Sequence, residues 1–140
     1  MELQTINPWS WQEQFGFVQA VAVTGAERTI YCSGQTSVDA DGNPVNEGDM
    51  RAQLVQALDN LEAVLRQSEH GLSDVVRLNY YTTDVEGFFA AIDVVVARLS
   101  EAGCQPASTL LEVPRLALPP LLVELEATAV GTASARADGA

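Results

Sequence analysis

Lysine is absent from this sequence, and positive charge of any kind is scarce. The 140 residues include seven arginines against nineteen acidic residues, which gives a formal net charge of −12. No two arginines are adjacent in the chain. Nucleic-acid affinity depends on clustered lysine and arginine side chains that neutralise phosphates. The composition therefore argues against a phosphate-binding surface, and we expect no nucleic-acid partner.

Cysteine and histidine are nearly as scarce. The two cysteines, Cys32 and Cys104, have no Cys-x-x-Cys spacing, which is typical of a reduced intracellular protein without a disulfide framework. The single histidine, His70, has only scattered acidic residues around it in the sequence. One imidazole of this kind does not make a metal-ligand set. We therefore expect neither a metal nor a cofactor.

Long apolar runs are also missing. The longest apolar stretches fall short of the ~20 residues that a membrane-spanning helix requires. The first residues, MELQTINPWS, have neither the basic stretch nor the apolar core of a signal peptide. These absences predict a soluble, cytoplasmic protein with no membrane partner.

The sequence does contain a regular succession of strand and helix patterns. Apolar residues at helical spacing predict one helix that begins after Asp49 and ends at Gly71, and a second helix stopped by Gly103. The first fifteen residues are predicted to be an irregular N-terminal segment, and residues 131–140 a disordered tail. Five strands are predicted, over residues 17–23, 29–35, 75–83, 107–113 and 121–130.

The resulting order, β-β-α-β-α-β-β, predicts a single α+β domain over residues 1–130 with two helices on one face of a sheet. The other face needs a cover of its own. We assign to it Tyr81, Leu110, Glu112 and the apolar side of the last strand, a set too hydrophobic for a solvated surface. We therefore expect this face to be buried against other copies of the chain.

Five segments of the chain resemble, in the same order, those of a known family. FGFVQAV and IYCSGQ are similar to its first two strands, and AQLVQALDNLEAVL is similar to its first helix. DVVRLNYYTTD is similar to its third strand, and PASTLLEVPRL and LLVELEATAV are similar to its closing pair of strands. The family is that of the RidA/YjgF imine-handling proteins, and the resemblance covers roughly residues 15–130.

The resemblance implies a chorismate-mutase-like fold and a homotrimer with clefts at the subunit boundaries. The better-studied members hydrolyse reactive imines and enamines to ketoacids and ammonia. By their positions, Glu124 would position or activate water, and Ser33 and Gly34 would hold a substrate oxygen. Three further residues fall on substrate-binding positions of the family cleft, and these are Phe17, Ser108 and Leu110.

The sequence departs from the family where a substrate carboxylate would bind. Ser108 replaces the family's arginine, and a hydroxyl cannot offer the charged bidentate fork that a carboxylate prefers. Phe17 stands in place of a tyrosine, and Leu110 in place of a cysteine that some relatives carry. Arg115 could substitute for the lost arginine only if Pro114 breaks the alternation that places odd-numbered residues opposite Ser108.

Two more aromatic residues, Trp11 and Phe15, precede Phe17 in the N-terminal segment. Structural packing is the default interpretation of such rings. Because the corresponding segment borders the family cleft, we interpret them, with Ser108, as signs of an aromatic, apolar pocket. This hypothesis favours a substrate that is neutral or aromatic over a simple amino-acid imine.

Glu124 is the predicted catalytic residue. Strand alternation places Leu122, Glu124, Glu126 and Thr128 on one face of the last strand. Burial of that face would raise a carboxyl pKa and make the group a useful general base near neutral pH. A solvated strand face explains the same pattern without any chemistry, and only the family position favours catalysis for Glu124. Glu126 is assigned a structural role.

Three functions are compatible with these patterns. The leading hypothesis is water addition or proton transfer on an imine, an enamine or a related small carbonyl derivative, with substrate preference altered by Ser108. The second is a non-catalytic trimeric module that binds or senses a small ligand. The third, an RNA-directed ribonuclease or translation inhibitor, conflicts with the net charge of −12 and the absence of lysine.

Overall fold

The computed structural model describes residues 1–133 of the chain. Three α-helices are formed, α1 (Met50–Gln67), α2 (Val85–Ala90) and α3 (Ile92–Ala102). The strands are β1 (Glu2–Ile6), β2 (Ala20–Thr24), β3 (Arg28–Tyr31), β4 (Gln35–Thr36), β5 (Val75–Thr82), β6 (Ala107–Glu112) and β7 (Val123–Gly131). Most of the predicted tail over residues 131–140 lies outside the described residues.

The main sheet has the strand order β3-β7-β5-β6, and β4 also pairs with β7. Strands β5 and β6 run parallel, and β7 runs antiparallel to each of its neighbours. The N-terminal segment is not irregular as predicted, because β1 pairs with β2 in a separate two-stranded sheet. All five residues of β1 are exposed, so no apolar alternation marks this strand in the sequence.

Helix α1 follows its predicted start. The Asp49 carboxylate caps it by accepting a hydrogen bond from the Ala52 backbone N–H at 3.0 Å. Four leucines at helical spacing form its buried stripe, Leu54, Leu58, Leu61 and Leu65, each fully buried. The helix ends at Gln67 instead of Gly71, because Glu69 adopts the left-handed backbone conformation (φ 65°) that the glycine was expected to supply.

The predicted second helix is divided at Ala91 into α2 and α3. Asp84 caps α2 by accepting from the Gly87 backbone N–H at 3.0 Å, and Ala91 leaves the helical conformation with φ −112° and ψ 9°. Phe88 of α2 and Val95 and Leu99 of α3 are buried in the same core as α1. The α+β class with helices covering one face of the sheet is therefore confirmed.

The two faces of the sheet differ sharply. The helix-facing side of β7 carries apolar residues buried to 2% or less, among them Val123, Leu125 and Ala127. Leu110 pairs with Tyr80 and Glu112 with Thr82, so both point to the helix side instead of the open face. Our assignment of these residues to the open face was wrong, because hydrophobicity alone does not fix the register between strands.

The open face is instead polar, which removes the apolar argument for its burial. Its residues on β5 and β7 are Arg77, Asn79, Tyr81, Glu124, Glu126 and Thr128. Over residues 1–133, none of the helices is both long and apolar enough to cross a membrane.

Candidate functional site

An aromatic cavity of about 230 Å³ lies between the helix-facing side of the sheet and the helices. All four phenylalanines of the chain line it. The remaining lining residues are Trp11, Tyr80, Ile92, Ser108 and Leu110. Six of the nine aromatic residues in the sequence therefore converge on one concave surface, as is typical of small-molecule sites.

Edge-to-face ring contacts hold the cavity walls. A 3₁₀ helix over Trp11–Phe15 carries two of the rings, and it ends at Gly16 in the left-handed conformation (φ 75°). The rings of Trp11 and Phe17 are 5.8 Å apart at 73°, and those of Phe15 and Phe89 are 5.9 Å apart at 63°. Phe88, 1% exposed, anchors the inner wall. Such contacts add to the stability gained by burying apolar area.

Ser108 and Leu110 of β6 complete the lining, beside Leu78 and Tyr80 of β5. The Ser108 hydroxyl lies close enough to the Tyr80 hydroxyl to lower its pKa, but the two do not meet the geometry of a hydrogen bond. Burial dominates and raises the Tyr80 pKa far above its ordinary value, so the phenol stays protonated. Ser108 Oγ is thus buried without a partner among the described residues.

Among residues 1–133, no charged side chain lines the cavity. Arg115, the one candidate to replace the missing arginine, turns its guanidinium to its own loop and donates to the carbonyl oxygens of Leu116 (3.1 Å) and Ala117 (3.2 Å). It is absent from the cavity lining. The described residues that line the cavity beside Ser108 therefore offer no cation to a carboxylate.

Glu124 lies on the open face, away from this cavity. Its side chain rests on Gly34, where an added Cβ would come within 1.9 Å of Glu124 Oε1 and 2.9 Å of its Cγ. Burial, and then the nearby negative charge of Glu126, raise the pKa of the Glu124 carboxyl above its ordinary 4.5. A raised pKa is the direction of change that makes a carboxylate a better proton acceptor.

A bulge in the sheet adjoins the contact between Gly34 and the Glu124 side chain. Tyr31 pairs with Thr128, and Gln35 pairs with Leu125. Between these two pairs the chain advances four residues on the β3–β4 side but only three on β7, so one residue is extra. Ser33 and Gly34 lie in this irregular stretch and are exposed. Bulges of this kind are frequent next to functional sites because they redirect the backbone.

Glu126 is engaged by its neighbours on the open face. Its Oε1 accepts hydrogen bonds from the Tyr81 hydroxyl at 2.9 Å and from Asn79 Nδ2 at 3.3 Å. The hydrogen bond to Glu126 is the largest cause that raises the Tyr81 pKa. Glu126 is thereby held in place, while Glu124 next to it on the same face carries the perturbed pKa.

The predicted site residues therefore divide into two groups. Phe17, Ser108 and Leu110 line the aromatic cavity, whereas Gly34 and Glu124 meet on the open face. Two strand spacings and a three-residue offset separate the Cα atoms of Ser108 and Glu124, roughly 14 Å by ideal sheet geometry. A small ligand in one chain cannot touch both groups.

Sequence reasoning missed four residues of the cavity, Tyr80, Phe88, Phe89 and Ile92. The last three fall in the apolar stripe of the predicted second helix. The adjacent pair Phe88-Phe89 is the sequence signal that could have indicated an additional role for one of them. In helical geometry, neighbouring residues point in different directions, so two adjacent aromatics cannot both occupy one core position.

Within residues 1–133, no cluster of three or more histidine, cysteine or acidic residues is arranged to hold a metal ion.

The structure is thus a small α+β domain in which helices cover one face of a sheet, beside an aromatic cavity and a carboxylate with a raised pKa. The family model described as endoribonuclease L-PSP matches residues 12–131. A structure of the Rid-family protein YyfB from Yersinia pestis, described as of unknown function, superimposes with a TM-score of 0.84 at 36% identity, covering 94% of this chain and 100% of that one.

Two curated relatives are also similar to this chain in sequence. A RutC family protein of Pyrococcus horikoshii is 30% identical over 71% of this chain and 77% of its own length. The 2-iminobutanoate/2-iminopropanoate deaminase of Dermatophagoides farinae is 32% identical over 66% of this chain and 63% of its own length. The chain belongs to the RidA/YjgF family.

Proposed function

We propose that this protein hydrolyses a reactive imine or enamine, or a related small carbonyl derivative, with Glu124 as the general base. The observation that carries the proposal is the Glu124 carboxyl, held against Gly34 with a raised pKa. The activity named for the Dermatophagoides farinae relative supports the substrate class. Imines are already electrophilic, so orientation of water and one base suffice for a substantial acceleration.

The proposed reaction begins when Glu124 accepts a proton from a water molecule whose oxygen bonds to the imine carbon. The electron pair of the C=N double bond moves to nitrogen, which takes up the proton from Glu124 and becomes an amine. The regenerated Glu124 carboxylate then accepts the hydroxyl proton of the carbinolamine and passes it to the nitrogen as the C–N bond breaks, so that the C=O double bond forms and ammonia leaves. The backbone N–H groups of Ser33 and Gly34, together with the Ser33 hydroxyl, would hold a substrate oxygen beside Glu124.

The proposal requires more than one copy of the chain, and we propose a homotrimer. Ser108 and Glu124 are on opposite faces of one sheet, so only a second copy can bring a Ser108-side surface against a Glu124-side surface. Edge strand β6, exposed at Thr109 and Leu111, is placed at the border of the sheet where such a copy can approach. A trimer by light scattering is expected, and a monomer would contradict this arrangement.

The activity is tested with 2-iminobutyrate and an aromatic amino-acid imine, each generated in situ by an amino-acid oxidase and followed with a semicarbazide trap. Wild type should hasten imine decay, and Glu124→Gln should abolish the effect while retaining the oligomer. Gly71→Ala is the matched control, since a Cβ at Gly71 meets nothing within 4 Å. Equal decay rates with wild type and Glu124→Gln would refute the role of Glu124.

The second candidate is a non-catalytic module that binds a small ligand. It is favoured by the loss of the charged clamp at Ser108 and by the absence of any charged residue from the cavity lining. No acceleration by wild type, with a gain of activity in Ser108→Arg, would support a scaffold adapted to another ligand. The family description as an endoribonuclease remains hard to reconcile with a net charge of −12 and no lysine.

A further inference from the structure

We propose that the aromatic cavity binds a small, uncharged aromatic group, of phenyl to fused two-ring size, that bears a single hydrogen-bonding substituent. The inference deepens the proposed function, because it names the side chain of the substrate. It does not depend on turnover, since it concerns what the cavity holds. The imine chemistry and this specificity can therefore fail separately.

The size of the cavity sets the scale of the ligand. An engineered apolar cavity of about 150 Å³ in another protein accommodates benzene. The present cavity, of about 230 Å³, offers room for one more small ring or a short substituent. A single aliphatic imine of three or four carbons would leave much of this apolar surface in contact with water.

The lining sets the polarity of the ligand. Aromatic and aliphatic side chains form nearly all of it, and none of the lining residues is charged. A carboxylate placed there would lose its hydration without gaining a cation, which is strongly unfavourable. An aromatic ring would instead make edge-to-face contacts with walls that already hold each other at 5.2 to 6.0 Å.

The accessible rings indicate that the cavity opens to a ligand. Trp11 is 54% exposed and Phe89 is 43% exposed, although both line the same concave surface as the buried Phe88. Large exposed aromatics grouped at a cavity mouth are a recognised mark of a binding surface. Covering them with a ligand ring would remove this apolar area from water.

Ser108 supplies a polar group that has no partner. Its Oγ has no hydrogen-bond partner among the described residues, and a serine hydroxyl can both donate and accept. A buried hydroxyl without a partner is costly, and a ligand donor or acceptor beside it would relieve that cost. A hydroxyl, amide or imine nitrogen on the ligand supplies such a group without charge.

Two neighbouring tryptophans provide a built-in reporter and its control. Trp9 is 60% exposed, similar to Trp11, but only Trp11 lines the cavity. In Trp9→Phe the remaining tryptophan fluorescence comes from Trp11, and in Trp11→Phe it comes from Trp9. Phenylacetamide is the neutral probe, phenylacetate its charged analogue of the same shape, and butyramide the amide without a ring.

We expect phenylacetamide to change the fluorescence of Trp9→Phe saturably and to leave that of Trp11→Phe unchanged. Phenylacetate and butyramide should each bind at least tenfold more weakly. By calorimetry, Trp11→Ala should weaken phenylacetamide binding about tenfold, whereas Trp9→Ala should leave it within twofold. Ser108→Arg should reverse the preference in favour of phenylacetate.

The proposal is overturned if phenylacetate binds wild type as tightly as phenylacetamide, or if butyramide does. It is also overturned if phenylacetamide causes no change in the fluorescence of Trp9→Phe up to its solubility limit. Retained binding of phenylacetamide with no imine hydrolysis would refute the proposed function and leave this inference standing. Hydrolysis confined to aliphatic imines would refute this inference and leave the proposed function standing.

Discussion

Gly34→Ala should disable Glu124 without touching it chemically. The new methyl group would lie 1.9 Å from Glu124 Oε1, whereas ordinary van der Waals contact begins at 3.4 Å. The carboxylate oxygen must therefore retreat by roughly 1.5 Å, and Cδ and Cγ, at 2.5 and 2.9 Å, must move with it. A misplacement of about 1 Å at a reacting group costs about 100-fold in rate. We expect a loss of at least about 100-fold in imine hydrolysis.

The backbone itself tolerates the substitution. Gly34 does not adopt the left-handed conformation that would strain an alanine, and all three clashing atoms belong to one flexible side chain. The cost to folding is then that of a displaced rotamer, about 0.5–1.5 kcal/mol. Gly71→Ala, also in an extended conformation and with nothing within 4 Å, should change neither rate nor stability.

A double-mutant cycle isolates the cause. Glu124→Gln keeps the shape of the side chain and removes the base, for an expected loss of about 10²–10⁴-fold. If Gly34→Ala acts only through the position of Glu124, the double variant is no slower than Glu124→Gln alone, and the two effects are strongly non-additive. Multiplicative losses would show that Gly34 serves catalysis independently of the carboxylate, and a fully active Gly34→Ala would refute the assignment of the base.

Three further predictions concern charge and packing. The raised pKa of Glu124 means that the folded state binds a proton more tightly than the unfolded chain does, so the free energy of unfolding falls as pH rises from about 4.5 through the folded pKa. In urea titrations, Glu124→Gln should therefore be more stable than wild type above that pH window and lose this advantage below it. Gln53→Leu should lose at least about 2 kcal/mol of unfolding free energy, because the buried amide donates hydrogen bonds to the carbonyl oxygens of Asn46 and Pro120 and accepts one from the Leu122 N–H. An unchanged urea midpoint would contradict this. Arg98→Met should cost up to about 1 kcal/mol, since Arg98 bridges α3 to two acids of α1, whereas Arg51→Met, which breaks an exposed pair, should leave the melting temperature unchanged.

The elements with the strongest local signals were predictable from the sequence. Asp49 followed by four leucines at helical spacing places α1, because the cap and the apolar stripe agree. Alternation along β7 places Glu124 and Glu126 together, opposite the buried Leu125, because the side-chain period of a strand is two. Such local rules hold wherever one face of an element is buried and the other is not.

The parts that depend on pairing between distant segments were not predictable. Whether Leu110 shares a face with Tyr80 or with Tyr81 is decided by the register between β5 and β6, and a shift of one residue would reverse it. The interruption at Ala91 carries no glycine or proline. Its cause lies in packing, since Ala91 is buried at 4% exposure among residues of the core.

The separation of the two residue groups bears on the proposal that Ser108 replaces an arginine while Glu124 serves as the base. Ser108 and its aromatic neighbours belong to a surface built by α2, α3 and the N-terminal segment, whereas Glu124 is positioned by β7 and the bulge at Gly34. The two sets lie on opposite faces of the sheet, so we expect a change in the first to leave the pKa and placement of the second undisturbed. Ligand preference and the proposed water chemistry can then vary independently, and their meeting point is set by how copies of the chain assemble. If that is correct, Ser108→Arg should change which imines are accepted while the pH at which hydrolysis rises, governed by the raised pKa of Glu124, stays where it is.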